Sequence, residues 1–245
     1  MKDNLLMPTI GIAGVTIPGA VDCINKINQF SRESFEEFRR PNIKLDQPDF
    51  YPTHEAQIES KWSVVADRLV ASIQSLAKSG ADFAIIPANT VHIVIDDIQK
   101  RASIPVLNML EIVSDTCHKT RRKTVGVLGT RWTMSGHLYQ KPFEKVGITE
   151  MIPTDDEQHI IQRAIFSELI PRACASNETV RDLLRVVKRM KDSGCDAIIL
   201  ACTELPLVLN TDNCGIPALD TTAILAQAAI AESVRLMTKS VDNKP

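Results

Sequence analysis

The stretch Ser193-Gly194-Cys195-Asp196-Ala197-Ile198-Ile199-Leu200-Ala201-Cys202-Thr203-Glu204-Leu205 decides how the rest of the chain is read. Ser193-Gly194 has the character of a helix stop. The apolar run behind it has the length of a strand buried on both faces, and it ends in a cysteine followed by two polar residues. In an α/β protein the carboxyl end of such a strand is where ligands bind and chemistry is placed.

The chain writes this pattern twice. Ser79-Gly80-Ala81-Asp82-Phe83-Ala84-Ile85-Ile86-Pro87-Ala88-Asn89-Thr90 repeats it, with Gly80 matching Gly194, Asp82 matching Asp196, Ile85 matching Ile199 and Ala88 matching Cys202, each pair 114 residues apart. Upstream, Gly11-Ile12-Ala13-Gly14 is echoed by Gly126-Val127-Leu128-Gly129. Downstream, Ile104-Pro105-Val106-Leu107 is echoed by Ile216-Pro217-Ala218-Leu219. Two α/β halves of one plan are implied. One presents a cysteine at its strand end and the other an alanine.

Working outward, strands and helices alternate. A first strand is expected over residues 9–14, then a helix from Pro18 with Val21, Ile24, Ile27 and Phe30 as its apolar stripe. Residues 41–51, rich in proline and mixed charge, read as an irregular loop. Trp62, Val65, Leu69, Ile73 and Leu76 mark a long amphipathic helix that Gly80 ends. A strand over 83–87 follows, then a helix carrying Val91, Val94, Ile95 and Ile98, a strand over 105–108 and a helix over 112–120. The second half restarts with a strand over 124–128. Helices are expected at 133–146, 155–174 and 177–193, with a short strand near Ile148 and a last helix over 221–237. Such alternation builds doubly wound parallel sheets with helices on both faces. The expected division is 1–119 with 216–245 as one lobe and 120–215 as the other, the basic run Lys119–Lys123 marking a boundary.

Composition excludes several classes of function. The 245 residues carry a net charge of −2, which gives no electrostatic case for nucleic acid or an anionic membrane. No apolar run approaches a membrane span, and Met1-Lys2-Asp3-Asn4-Leu5-Leu6 does not read as a secretory leader. Six scattered cysteines with no Cys-x-x-Cys pair fit a reducing cytoplasm, and neither they nor the five dispersed histidines have the spacing of a metal site. The glycine pairs lack the triple-glycine fingerprint of dinucleotide binding.

With these residues assembled, Pro87-Ala88-Asn89-Thr90-Val91-His92 and Ala201-Cys202-Thr203-Glu204-Leu205-Pro206 together resemble the aspartate/glutamate racemase family. Gly129-Thr130-Arg131-Trp132-Thr133-Met134-Ser135, Tyr139, residues 152–158 and Asp220-Thr221-Thr222 are similar to that family as well. Glu204 is similar to the aspartate racemase branch, since glutamate racemases usually carry histidine there. The resemblance implies an enzyme without a cofactor, a homodimer, an acidic amino acid as substrate, and an active site in the cleft between two pseudo-symmetric domains. It also implies two thiols on opposite sides of the substrate α-carbon, with Cys202 serving the L-face.

Two departures from the family pattern matter. Ala88 stands where the first catalytic cysteine belongs and cannot transfer a proton. The first glycine-rich loop reads Ala13-Gly14-Val15-Thr16-Ile17-Pro18-Gly19 instead of Gly-Gly-Met-Gly. Ala88 admits three accounts. It is an engineered substitution that traps a bound amino acid, or a natural feature of a one-directional enzyme with Cys202 as lone acid and base, or the mark of a decarboxylase resembling arylmalonate decarboxylase. A non-catalytic amino-acid-binding relative is the remaining alternative.

Cys202 is thus the expected catalytic residue, although a buried cysteine at a strand end is often only a small apolar group. Ala88, Asn89, Thr90, Val91, Thr203 and Glu204 are expected to line the substrate, where hydroxyl, amide and backbone N–H groups can hold its carboxylate or amine. Helix capping alone would ask for the same residue types. Thr130 and Thr133 join them on the resemblance. His54 and Arg172 are the candidates for the substrate's side-chain carboxylate. Cys195 reads as core, and Cys23, Cys117, Cys174 and Cys214 as structural.

Overall fold

The computed structural model describes residues 7–36 and 39–242, with side chains as far as Thr238. The reading of the amino terminus, which rests on residues 1–6, lies outside them. The chain forms two compact units, one running to Met109 and resuming at Leu225, the other spanning Leu110–Ile224.

The first unit holds a parallel sheet of order β2-β1-β3, with β1 at Thr9–Ala13, β2 at Asn42–Asp46 and β3 at Phe83–Ile85. The second holds a parallel sheet of order β5-β4-β6-β7, with β4 at Thr124–Gly129, β5 at Thr149–Met151, β6 at Ala197–Ala201 and β7 at Ala218–Asp220. Parallel neighbours need crossovers, and helices supply them. Every residue of β3 and β6 is buried. Successive side chains of a strand point to opposite faces, so both faces of these strands are covered.

The internal repeat is a repeat of register. Ile10 pairs with Phe83 in the first sheet and Val125 with Ala197 in the second. Its glycines and aspartates have a mechanical purpose. Gly80 and Gly194 take φ of 88° and 103°, ending the helices Trp62–Lys78 and Asn177–Asp192 in a conformation that a side chain would strain. Two residues on, Asp82 Oδ2 accepts from Thr9 N–H at 2.7 Å, and Asp196 Oδ2 accepts from Lys123 N–H at 2.7 Å. The backbone closes each clip from the other side, Asp82 N–H donating to Thr9 O and Asp196 N–H to Thr124 O, both at 2.9 Å. Each aspartate therefore sets where two parallel strands begin together.

Several sequence expectations are corrected. Residues 42–46 are not loop; they form edge strand β2, in register with β1 from Thr9–Asn42 to Ala13–Asp46. Pro41 and Pro48 flank that strand without interrupting it, which is where an edge strand tolerates proline. Residues 105–108 reduce to one bridge, Ala84 to Val106, whereas their echo becomes the full strand β7. Helix Ile17–Ser34 buries Ala20, Cys23, Ile27 and Ser31, and Val21 is 48% exposed. The buried row is the one with small residues, so the helix backbone can lie close to its neighbours.

The expected helix over 133–146 is two short helices, Arg131–Met134 and Gln140–Lys145, joined through His137 at φ 48°. Ser135-Gly136 between them and Pro142 in the first turn of the second explain the break, because proline has no N–H for a carbonyl four residues back. The helix expected over 155–174 is α-helical at Asp155–Arg163, widens to π-helix at Ala164–Leu169 and resumes at Ile170–Arg172. A widened turn just ahead of Pro171 relieves the clash its ring would otherwise make. The second unit opens at Leu110, earlier than residue 120, and keeps the chain to Ile224, beyond 215, because β7 hydrogen-bonds to β6.

If the aspartate clip sets strand register, Asp196→Ala should lower unfolding free energy by about 1.5–3 kcal/mol, the range for a hydrogen bond to a charged acceptor. Asp196→Asn, which keeps an acceptor, should lose less. Urea unfolding of the three proteins measures both differences.

Candidate active site

Strand β6 ends at Ala201, so Cys202 is the first residue beyond the buried run. It is half-buried and packs against the apolar core of the second unit. Its Sγ donates to Glu204 Oε2 at 2.9 Å, and Thr203 Oγ1 donates to the same oxygen at 2.7 Å. Glu204 itself is only 8% exposed. Burial pushes the Cys202 thiol well above its ordinary range, and the Glu204 carboxylate adds to this by its charge and its hydrogen bond. Backbone N–H groups of Glu204 and Thr203 pull the other way. Donors that favour a thiolate are thus present but outweighed, and the balance favours the neutral thiol.

Neighbouring strands bring polar residues to the same edge of the sheet. Gly129 pairs with Ala201, so Thr130 and Cys202 leave the sheet in step. Thr130 Oγ1 and Thr133 Oγ1 lie 3.2 Å apart, both buried, as the chain turns into helix Arg131–Met134. On the other side Leu200 pairs with Asp220, whose Oδ1 accepts the N–H groups of Thr222 at 2.9 Å and Ala223 at 3.1 Å, capping helix Thr221–Asp242. Thr221 Oγ1 donates to Leu200 O at 3.1 Å, tying that cap back to β6.

The first unit ends its buried strand in the same manner. Beyond β3, Ala88 is half-buried, Asn89 and Val91 are buried, and Thr90 opens a short 3-10 helix, Thr90–Val94. His92 stands in that helix. It is 1% exposed, with Nδ1 2.8 Å from Ala88 O and Nε2 3.3 Å from Met109 N–H. Ala88 O can only accept and Met109 N–H can only donate, which assigns the neutral tautomer protonated on Nδ1. Burial lowers its pKa to about 4, partly opposed by the bond to Ala88. The four-residue step from Ala88 to His92 was the available signal.

The other two candidates stand on other helices. His54, in helix Tyr51–Ile58, stacks on Phe50 with ring centroids 5.3 Å apart. Arg172 is exposed at the end of the helical run from Asp155, where its charge helps lower the Glu168 pKa behind two hydrogen bonds from Thr179 and Ser176. Cys195 is core, as expected. Cys23, Cys117 and Cys214 are buried as well, whereas Cys174 is exposed.

A buried parallel strand in each unit, one ending in a carboxylate-bound thiol and the other in a methyl group, defines an α/β protein of two parallel-sheet units. The chain belongs to the Asp/Glu/hydantoin racemase family, whose model matches residues 12–229. It is 31% identical over 156 residues to the broad specificity amino-acid racemase RacX of Bacillus subtilis (strain 168), and 28% identical over 164 residues to a glutamate racemase of Roseiflexus sp. (strain RS-1). These matches cover 64% and 65% of this chain but only 66% and 57% of the relatives' lengths. Among solved structures, an aspartate racemase homologue from Pyrococcus horikoshii OT3 superposes with TM-score 0.79 at 27% identity, covering 95% of this chain and all of that one. The Picrophilus torridus aspartate racemase, at 23% identity and TM-score 0.74 over 93% of this chain and 94% of its own, shares the fold.

His92 gives the protein an acid-sensitive element. Its native pKa near 4 lies below the value of 6.5 it regains on unfolding, so the unfolded chain binds the proton first. Stability from this residue is complete above pH 6.5 and drains away as pH falls towards 4, a loss of about 3 kcal/mol. Urea unfolding between pH 7.5 and 4.5 should therefore show a steeper loss in the parent than in His92→Gln.

Proposed function

We propose that this chain acts on the α-carbon of an amino acid without a cofactor, as an isomerase of the racemase type in which Cys202 carries the proton. The observation that carries this reading is the thiol at the end of β6, half-buried and hydrogen-bonded to a nearly buried carboxylate. A cysteine that served only as core would have no need of such a partner. The relatives supply the substrate class. Aspartate and glutamate are the first to test, with other amino acids beside them.

The α-proton of an amino acid is weakly acidic, and without a cofactor to delocalise the carbanion the base must act in a water-poor site with donors aimed at the carboxylate. Asn89, Thr90, Thr130, Thr133 and Thr203 are the donors in this proposal, and His54 and Arg172 the candidates for a side-chain carboxylate. His92, by holding Ala88 O, fixes the peptide plane between Ala88 and Asn89 and so the direction of the Asn89 N–H. Position 88 has no group that can donate or accept a proton. Net inversion is therefore impaired, and exchange of the α-proton on the Cys202 side is the activity that remains. A cytoplasmic homodimer belongs to the same reading and is open to sedimentation analysis.

Ala88→Cys should raise the racemisation rate by about a hundredfold or more, the scale of a positioned acid–base group. Cys202→Ser should remove α-proton exchange in deuterated water, followed by proton NMR across L- and D-amino acids. A folded Ala88→Cys protein that racemises no faster than its parent sinks the vacant-base argument. Exchange that persists in Cys202→Ser sinks the role of the thiol.

A further inference from the structure

We propose that Gln162 is a positioning residue for the hydroxyl pair of Thr130 and Thr133. It caps from outside the short helix that carries them, so that the Thr130 side chain is turned to the substrate instead of to its own helix. The inference rests on the reading of that pair as donors to the substrate carboxylate, and its test is chosen so that the two can fail separately.

A helix of one turn cannot fasten its own start. The first N–H groups of any helix lack acceptors within it. At an N-cap threonine the side-chain oxygen ordinarily takes one of them. Thr130 is the N-cap of helix Arg131–Met134 and makes no such side-chain bond. Its Oγ1 lies 3.2 Å from Thr133 Oγ1 instead. The N–H of Arg131 goes to Gln162 Oε1 at 3.0 Å, 31 residues along the chain. The far end of the helix is held in the same manner. Ser135 is its C-cap, and Ser135 Oγ donates to Gln158 Oε1 at 2.6 Å. Gln158 is only 3% exposed, and its Nε2 donates in turn to Pro153 O at 2.9 Å.

Gln158 and Gln162 stand four residues apart on helix Asp155–Arg163, hence on one face of it. The start of that helix is itself fixed, by the capping box of Thr154 and Glu157 and by Arg189 Nε donating to Glu157 Oε1 at 2.8 Å. Past Gln162 the run widens into the π-helical turn Ala164–Leu169, which packs against the 3-10 helix Leu205–Leu207 that follows Glu204. One helical run thus braces both the turn after β4, with Thr130, and the turn after β6, with Cys202. The two glutamines differ in what is asked of them. Gln158 uses both ends of its amide, an acceptor and a donor, whereas the short helix takes from Gln162 an acceptor. A carboxylate can therefore replace the amide at position 162 but not at 158, where it would face the Pro153 carbonyl oxygen.

The test is α-proton exchange in deuterated water over a range of amino-acid concentrations. Gln162→Met keeps the length and loses the acceptor; its kcat/KM should fall about tenfold or more, since displacing a positioned group by ~1 Å can cost about a hundredfold. Gln162→Glu should restore most of that loss, because a carboxylate still accepts from the Arg131 N–H. Gln158→Glu should lose as much as Gln162→Met. Ser176→Ala, which removes the cap of helix Asn177–Asp192, controls for lost stability and should exchange as fast as the parent. A Gln162→Met protein as fast as its parent overturns the proposal, and so does an equal loss in Ser176→Ala. If the parent exchanges no amino acid, the racemase reading fails by itself, and hydrogen exchange at the Arg131 amide decides the capping role. A faster amide in Gln162→Met sustains that role and an unchanged one overturns it. Gln162→Asn, which draws the acceptor back by one methylene, is read on the same scales should Gln162→Met fail to fold.

Discussion

A strand buried on both faces has nowhere along its length to show a polar side chain, and its neighbours in a parallel sheet leave only its end open. That constraint organises this protein. Strand β6 is apolar from Ala197 to Ala201 because helices and neighbouring strands leave no room for water, and the first thiol beyond it is that of Cys202. The parallel register then decides which residues keep it company. Gly129 alongside Ala201 delivers Thr130, and Asp220 alongside Leu200 delivers the cap of helix Thr221–Asp242.

At the strand end the balance of forces differs from that expected for a reactive cysteine. Donors from the backbone are there, but burial and the Glu204 carboxylate outweigh them, and the sulfur keeps its proton. The other half of the chain reproduces the plan with an alanine at the matching position. Ala88 occupies the strand end, and a neutral buried histidine pins its carbonyl to the start of helix Met109–Lys119.

Much of the fold was legible because the repeated residues carry local instructions. Glycine at a helix end is readable from spacing alone, since it satisfies a backbone requirement within a few residues of itself, whereas the aspartate two residues later shows only as a repeat, its partners Thr9 and Lys123 lying 73 residues away. The elements misread were those whose state depends on a distant partner. Residues 42–46 look like loop until β1 offers a ladder to an edge strand, and residues 105–108 look like strand until only one bridge forms. The π-helical turn at Ala164–Leu169 has no period of its own for a sequence to announce.

The sequence by itself determined the two-fold α/β plan, the position of Cys202 at a strand end and the alanine at the matching position 88. These follow from the order of apolar runs and stop signals, which is a one-dimensional property. Tertiary structure alone decided the protonation of the thiol, the choice of Oε2 as its partner and the neutral state of His92. Burial and hydrogen-bond distance fix a proton's location, and neither exists until the chain has folded around the groups concerned.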